Sequence, residues 1–472
     1  MEGRRQDGGR GTLVGRSREQ AALREVAERA RGGQGGLVLV SGEAGIGKTR
    51  LVDSFLLAEG LPVLRGPSRD TRLAAPFSPI AAVLRAGLAA SPGALDHLPL
   101  RGYLAPLLPE LGPAPSQDGN SPAALHEAIR GALRALMESG PTALVLEDLQ
   151  WADHATLDLL PALVGGLADR PVLVVGTFRS EELPRAHPLR RARQELRRAG
   201  VLEELHLGPL DPAETAELAR ARLGAPLTPA LAGILHARSE GVPLFVEELA
   251  AALQGNGGLA PRADGRLDLA PGAAVEVPLT LREAIGLGLD RFPPGVRAAA
   301  ELAAVLGPAF DADLLLDLAD EQAFDALTGG GWLVEEGGGA AFRHALVRDA
   351  IYAGIPWSRR RTLHRQVAAR LEEVGAPPGV TAEHWLAGRE PGRAREALLA
   401  SAEASCRLHA YRDAAGAVGR ALDLWPPGAE EARRLEVLDQ LGRCAQACGL
   451  LAEAGAAWRE AAGARRAAGD TA

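Results

Sequence analysis

The sequence predicts an α/β N-terminal part, in which a parallel sheet is flanked by helices, followed by a mostly helical C-terminal part. Three short apolar runs rich in Val and Leu, beginning at Gly36, Ala143 and Pro171, alternate with helical patterns. Such runs are typical of buried parallel strands. Near the C-terminus, small residues recur at a fixed distance, which indicates a helical repeat.

Length and composition limit the class of protein. The chain has 472 residues, a formal net charge of −8 and a pI of about 5.8. It is long enough for about two to four domains, and it lacks the basic coat of a general nucleic-acid binder. The sequence shows no apolar run of membrane-spanning length and no secretory signal, so we expect no membrane partner. Three cysteines are too few for a disulfide framework, which favours the cytoplasm.

The first apolar run leads into the pattern G-x-x-x-x-G-K-[ST], and a helical pattern follows over residues 50–58. A strand, this loop and a helix in that order predict a phosphate-binding P-loop. Loop amides and the helix N-terminus attract negative charge, Lys48 is expected to reach the β- and γ-phosphates of ATP, and the Thr49 hydroxyl is expected to ligate Mg²⁺. The predicted nucleotide-binding residues here are Gly42, Glu43, Ala44, Gly45, Ile46, Gly47, Lys48, Thr49 and Arg50.

Lysine usage supports this prediction. Lys48 is the single lysine among 52 basic residues, a bias typical of a GC-rich genome. Arginine is a planar fork, whereas lysine is a compact point charge that fits a tight phosphate cradle. The one lysine that remains therefore coincides with the one position in the motif that requires it.

The second apolar run ends in two acids, Glu147 and Asp148, which resembles a Walker B strand. We expect Glu147 to join Thr49 in the Mg²⁺ shell and Asp148 to polarise the attacking water. The reverse assignment stays open, so both acids are candidate catalytic residues and candidate metal ligands.

Two further residues are candidates on weaker patterns. Arg179 follows the third apolar run, where it could sense the γ-phosphate or simply cap the strand end. Pro243 lies near the start of a helical pattern, where it could pack beside adenine or merely begin the helix.

Six segments together carry a resemblance to a known family. They are LVGRSREQAALREV, GEAGIGKTRL, LVLEDLQWAD, VVGTFR, SEGVPLFVEEL and FRHALVRDAIY. In this order they resemble the AAA-like ATPase module of bacterial STAND regulators, which also occurs in LuxR-type ATP-binding regulators and beside some adenylyl cyclases. The resemblance implies an α/β P-loop NTPase followed by an all-α lid, a winged helix and tetratricopeptide-type repeats.

The resemblance also implies further site residues and a mode of action. Val14 and Gly15 correspond to the adenine side of the nucleotide site, and His344 resembles a winged-helix histidine that senses ADP. A packed histidine without a ligand is the alternative for His344. The family alternates between ATP and ADP with Mg²⁺, so we expect a slow ATPase whose repeat arm binds an inducer or partner protein. Self-association in one nucleotide state stays open.

The resemblance implies the set of domains, and composition and pattern place their boundaries. Residues 1–11 are Gly- and Arg-rich and are expected to be disordered. The ATPase core is predicted over 12–208, the helical lid and linker over 209–278, the winged helix over 279–375 and the repeats over 376–472. In the winged helix, short strands are predicted at 332–335 and 340–343, and in the linker a small hairpin around Gly265.

The repeat prediction rests on spacing. Small residues at 402, 414 and 421 recur 40 positions later at 442, 454 and 461, and Trp458 occupies a position where a large packed side chain belongs. The alternative is an alanine-rich helical bundle. Cys444 and Cys448, one helical turn apart, are interpreted as small core residues rather than a metal site.

The sequence thus predicts a cytoplasmic ATP-dependent switch in signal transduction. Two alternatives remain open at this point. One is a transcriptional regulator that touches DNA through the winged helix and the arginine run at 358–365, and the other is a scaffold that binds ATP without hydrolysing it.

Overall fold

The computed structural model describes residues 13–68, 75–112, 121–138, 140–255, 257–270, 289, 292–336, 339–343 and 345–467. Its N-terminal part is a five-stranded parallel sheet in the order β2-β3-β4-β1-β5. The strands are β1 (Gly36–Gly42), β2 (Val63–Pro67), β3 (Thr142–Glu147), β4 (Val172–Phe178) and β5 (Leu202–Leu207). The predicted parallel sheet is therefore confirmed, with β1, β3 and β4 formed by the three apolar runs.

Helices cover both faces of this sheet because successive strand residues point to opposite sides. Leu37 and Leu39 of β1 pack in one core, and Val38 and Val40 pack in the other. The first core contains α3, α4, α5 and α6, and the second contains α1 and α2. These helices are α1 (Ser17–Arg31), α2 (Lys48–Glu59), α3 (Ser78–Ala90), α4 (Pro122–Leu136), α5 (His154–Gly165) and α6 (Pro188–Arg198).

Three helices and a hairpin follow the sheet. They are α7 (Pro212–Leu223), α8 (Pro229–Ser239), α9 (Pro243–Gly255), and the antiparallel strands β6 (Leu259–Pro261) and β7 (Leu267–Leu269). Asp211 begins α7 with a reciprocal capping box to Glu214. The hairpin expected around Gly265 is present, and α9 begins at Pro243 as predicted.

The next unit combines helices with a small antiparallel sheet in the order β8-β10-β9. Its elements are α10 (Pro294–Leu306), β8 (Ala309–Phe310), α11 (Ala312–Leu316), α12 (Glu321–Gly329), β9 (Leu333–Glu336), β10 (Gly339–Phe342), α13 (Ala345–Gly354) and α14 (Trp357–Glu373). Both expected strands are found within one residue. The two-residue strand β8 was not predicted, since it is too short to produce a period.

The C-terminal part is helical and periodic. It comprises α15 (Pro378–Ala387), α16 (Pro391–Arg407), α17 (Tyr411–Asp423), α18 (Glu431–Ala447) and α19 (Leu451–Ala467). The pair α18 and α19 begins 40 residues after the pair α16 and α17, which matches the spacing of the small residues. All five alanines of that set are buried, and Trp458 lies against Gly442, where an added Cβ would be 2.3 Å from the indole nitrogen.

Some predictions fall where the structure is not described. Residues 1–11, the sensor candidate His344 and the linker segment 271–278 lie outside the described residues. Among the helices that are described, none combines the length and the apolar character needed to cross a bilayer.

Candidate nucleotide-binding site

The P-loop connects the end of β1 to the start of α2. Gly42, Gly45 and Gly47 all have positive φ values, of 150°, 77° and 97°, which favour glycine. A Cβ at Gly42 would also lie 2.7 Å from the Leu207 carbonyl oxygen of β5. Because α2 begins at Lys48, the backbone N–H groups of its first turn have no acceptor within the helix and are available to an anion.

Lys48 is buried beneath this loop. Its Nζ donates hydrogen bonds of 2.9 Å to the carbonyl oxygens of Gly42 and Glu43. Burial lowers the pKa of the ammonium, and the Arg179 charge acts in the same direction, whereas Asp148 opposes them. The amine is therefore fixed in the loop by two carbonyl groups, within the electrostatic range of both Arg179 and Asp148.

The P-loop binds a carboxylate oxygen of this chain, which shows whether its amides can accept a negatively charged oxygen. The Ala44 N–H donates a 3.2 Å hydrogen bond to Glu181 Oε1, from the segment after β4. The Glu181 charge also raises the pKa of Lys48, against the effect of burial. A negatively charged oxygen thus lies on a loop amide beside the lysine, as a phosphate oxygen would, so the residues present fit a nucleotide phosphate.

The two acids at the end of β3 have different surroundings. Asp148 has a left-handed backbone (φ 50°), its N–H donates to Thr177 Oγ1 at 3.0 Å, and its Oδ1 accepts from Gln150 Nε2 at 3.1 Å. Glu147 instead accepts a 2.7 Å hydrogen bond from Arg65 of β2, which also pairs with Asp53 of α2. The charge of Asp148 is the strongest of those that raise the pKa of Lys48 against the effect of burial.

Arg179 lies between the loop and the acids because β4 lies between β1 and β3 in the sheet. Its side chain is buried, pairs with Glu182 at 2.7 Å and packs 4.6 Å above the Trp151 ring centroid. Its own N–H donates to Gln150 Oε1 at 3.0 Å. The sheet order thus places Arg179, the predicted sensor of the γ-phosphate, on the side of the P-loop where Glu147 and Asp148 lie.

The N-terminal segment closes another side of the loop. Val14 is buried in the core of α7, α8 and α9, and Gly15 has a φ of 68° with Glu214 so close that a Cβ would lie 2.4 Å from Oε1. Arg16 then donates to the carbonyl oxygens of Gly208 at 2.6 Å and Ile46 at 3.3 Å. Val14 and Gly15 therefore lie where the P-loop meets the α7–α9 helices.

Helix α9 touches the P-loop directly. The Leu244 N–H donates to the Gly45 carbonyl oxygen at 3.3 Å, and Arg50 of α2 pairs with Glu247 at 2.7 Å. Pro243 precedes Leu244 and is thereby held beside the loop. Arg50, predicted as a nucleotide contact, is engaged by this helix.

The C-terminal helices also contact the N-terminal sheet unit. Asp413, in the first turn of α17, accepts hydrogen bonds of 3.2 Å from the backbone N–H groups of His154 and Ala155 at the N-terminus of α5, and it lies 3.0 Å from His154 Nδ1. Leu408 packs in the same hydrophobic core as the sheet. The neighbouring Asp153 caps α5 by accepting a hydrogen bond from the Thr156 N–H, and it is buried. We call these contacts the arm joint.

Sequence reasoning missed several residues of this region. Arg65, Gln150, Glu181, Glu182 and Asp413 belong to no spacing pattern that identifies them. Gln150 and Glu181 each lie within four residues of a predicted site residue, which is the one local signal available. Arg65 and Asp413 approach the region from distant parts of the chain, and nothing in the linear sequence indicates that approach.

Comparison with known proteins identifies the N-terminal module. The AAA ATPase domain family matches residues 12–175. An uncharacterised protein of Rhizobium meliloti is 28% identical over 493 residues, covering 92% of this chain and 45% of that protein. The chain therefore spans less than half of this relative.

Among solved structures, the Signal Transduction ATPase with Numerous Domains (STAND) protein with a tetratricopeptide repeat sensor from Pyrococcus horikoshii is similar, with a TM-score of 0.50 and 13% identity over 97% of this chain and 65% of that one. The Walker-type ATPase of Pyrococcus abyssi matches 72% of this chain and 96% of its own, with a TM-score of 0.35 and 14% identity. The first likeness concerns the fold alone.

These findings confirm the coarser predictions. Residues 12–175 match the AAA ATPase domain family, and the fold of the chain is similar to that of a STAND ATPase with a tetratricopeptide repeat sensor. ATP binding by an AAA ATPase domain is thereby supported. The LuxR-type and adenylyl-cyclase-associated relatives, and the roles of individual site residues, stay predictions.

Proposed function

We propose that this chain is an ATP-dependent switch in signal transduction, in which the nucleotide at the P-loop controls how the repeat arm contacts the ATPase core. The observation that carries this proposal is the arm joint. Asp413 of the arm contacts the first turn of α5, which begins six residues after Asp148. A change at Glu147 or Asp148 can therefore reach the arm through one short segment of the chain.

The loop and its neighbours supply the binding chemistry. Loop amides and the first turn of α2 bind phosphate oxygens, while Lys48 neutralises their charge. Bound Mg²⁺ would supply further charge neutralisation at the β- and γ-phosphates. The Thr49 hydroxyl and one carboxylate would hold that ion, and Arg179 would contact the γ-phosphate.

For the carboxylates we favour the reverse of the sequence-based assignment. Asp148 interacts electrostatically with Lys48, whereas Glu147 is held by Arg65. Asp148 would then ligate the metal and Glu147 would act on water. In that case Asp148→Asn should weaken ATP binding mainly when Mg²⁺ is present, and Glu147→Gln should mainly slow phosphate release. The opposite pattern in the two variants would restore the original assignment.

We keep as a proposal the domain division predicted from the sequence, with the lid and linker at 209–278, a winged helix at 279–375 and tetratricopeptide-like repeats from 376. Helices α10–α12 with the small sheet support the winged helix, and the 40-residue offset of the helix pairs supports the repeats. We infer that the repeat arm binds the inducer or partner protein. A pull-down with ATP-loaded and ADP-loaded protein tests this, because a partner of the switch should be retained in one state only.

The DNA alternative gains no observation in its favour. The arginines of the basic run at 358–365 contact the protein itself: Arg359 pairs with Glu301 at 2.8 Å, Arg360 donates to the Ile355 carbonyl oxygen at 3.0 Å, and Arg361 packs on Trp357. These interactions account for the run without a nucleic-acid partner.

Hydrogen exchange measured by mass spectrometry tests the switch. Peptides that cover residues 150–160 and α17 should exchange at different rates in protein saturated with Mg-ATP and with Mg-ADP. The Lys48→Ala variant serves as the control, since it should lose the difference. Equal exchange in both nucleotide states, in wild-type protein shown to bind both nucleotides, would refute a switch transmitted through the arm joint.

A further inference from the structure

Two of the three cysteines meet between neighbouring helix pairs of the arm. Cys406 lies in the last turn of α16, and Cys444 lies in α18, 38 residues later. Their sulfur atoms are 3.4 Å apart and share a hydrogen bond. A disulfide has an S–S length of about 2.05 Å, so the two sulfurs need to approach by roughly 1.4 Å to form one.

The surroundings allow this approach. The cysteines pack in one cluster with the small side chains of Ala414, Ala415 and Ala454, and the larger Leu441, Leu450 and Trp458 pack against the same cluster. Cys444 is buried, whereas Cys406 is only half-buried. Cys448, the third cysteine, donates to the Ala445 carbonyl oxygen at 3.4 Å and is not part of the pair.

The two thiols differ in acidity. The hydrogen bond from Cys444 lowers the pKa of Cys406, and the charges of Arg443 and Arg407 contribute to the same direction. The hydrogen bond and burial together raise the pKa of Cys444. The more exposed sulfur is therefore also the one that more readily becomes the nucleophilic thiolate.

We propose that Cys406 and Cys444 form a peroxide-sensitive dithiol that closes a reversible disulfide between α16 and α18. The Cys406 thiolate attacks one oxygen of the peroxide, which gives a sulfenic acid at Cys406 and releases hydroxide when the reagent is hydrogen peroxide. The Cys444 thiol then attacks the Cys406 sulfur, forming the S–S bond and releasing water. A thiol reductant reverses the reaction.

Closing this bond would constrain the part of the arm that contacts the ATPase core. The loop between the two cysteines contains the whole of α17, including Asp413 of the arm joint. A crosslink between α16 and α18 limits how far α17 can move relative to both neighbours. The oxidised arm should therefore be more resistant to unfolding, with a melting temperature several degrees higher than the reduced arm.

The experiment treats the full chain with hydrogen peroxide, counts free thiols under denaturing conditions and identifies crosslinked peptides by mass. In wild type, two of three thiols should disappear, the crosslink should join the peptides of Cys406 and Cys444, and dithiothreitol should restore all three. Cys448→Ser is the matched control and should form the same crosslink. Cys406→Ser should form no intramolecular crosslink.

A second variant separates the two steps. Cys444→Ser removes the resolving thiol, so a sulfenic acid should accumulate at Cys406 and react with dimedone, whereas wild type should give little dimedone adduct. Three results would overturn the proposal: unchanged thiols in wild type, a crosslink that involves Cys448, or dimedone labelling of Cys444→Ser no greater than that of the Cys406→Ser variant.

Discussion

Replacing Asp413 with asparagine should weaken the arm joint, although the two side chains have almost the same shape. The carboxylate accepts two backbone hydrogen bonds at the N-terminus of α5 and contacts His154 at 3.0 Å. The side chain is 14% exposed, so solvent screens these interactions only in part. Asparagine keeps one oxygen acceptor but removes the charge and the second oxygen.

The expected magnitude follows from these contacts. A hydrogen bond to a charged group contributes about 1.5–3 kcal/mol, and an acid at a partly buried helix N-terminus contributes up to about 2 kcal/mol. Repulsion of the buried Asp153 carboxylate works in the opposite direction, because Asp413 adds to the effect of burial in raising the pKa of Asp153 to about 6. We expect a net loss of about 1–2 kcal/mol, which is a factor of roughly 5–30 in the fraction of open joint.

Hydrogen exchange of peptides covering residues 150–160 measures this opening directly. In Asp413→Asn, exchange at the start of α5 should accelerate by the same factor, with little change in the central strands. Asp423→Asn is the matched control, since Asp423 is exposed at the other end of the same helix. Equal protection of residues 150–160 in wild type, Asp413→Asn and Asp423→Asn would show that Asp413 does not hold the arm on α5.

Four further predictions follow from the same structure. Excess Mg-ATP at 100 times Kd should stabilise wild type by about 2.7 kcal/mol, which raises Tm by several degrees. Both Lys48→Ala and Lys48→Arg should lose that shift in thermal melts. A full shift in Lys48→Arg would contradict the argument from the single lysine. Arg179→Ala should slow phosphate release while nearly preserving ADP affinity by calorimetry, and an equal loss of ADP binding would remove its assignment to the γ-phosphate. Gly442→Ala should lower Tm, with a cost of about 1–3 kcal/mol because its Cβ would meet Trp458, whereas Gly463→Ala, with no neighbour within 4 Å, should hold or raise it. The arm joint should become more stable as the pH falls from 8 to 6, because the hydrogen bond to Asp413 raises the pKa of His154. This stabilisation is complete below about pH 6.5 and is lost as the pH rises through the raised pKa. Hydrogen exchange of residues 150–160, corrected for the intrinsic effect of pH on amide exchange, should show the change in wild type and not in Asp413→Asn.

The sequence by itself determined those features whose cause is local. Alternation of strand residues between two cores, the glycines of the P-loop and the start of α9 at Pro243 each depend on a few neighbouring residues. The 40-residue recurrence of small residues is matched by the 40-residue offset between the two helix pairs, and the alanines of that set are buried. For the same reason the loop residues around Lys48 could be named without a structure.

Only the tertiary structure decided which distant side chains meet. Arg65 reaches Glu147 because β2 and β3 are neighbours in the sheet, and the contact between Asp413 and α5 joins residues about 260 positions apart. Cys406 and Cys444 approach to 3.4 Å through the packing of two helix pairs. Hydrophobic periodicity in the sequence identifies the buried face of a helix or strand. It does not identify the element that packs against that face, since many elements present an equally apolar face. The choice among them is made by the shape and charge of the assembled chain.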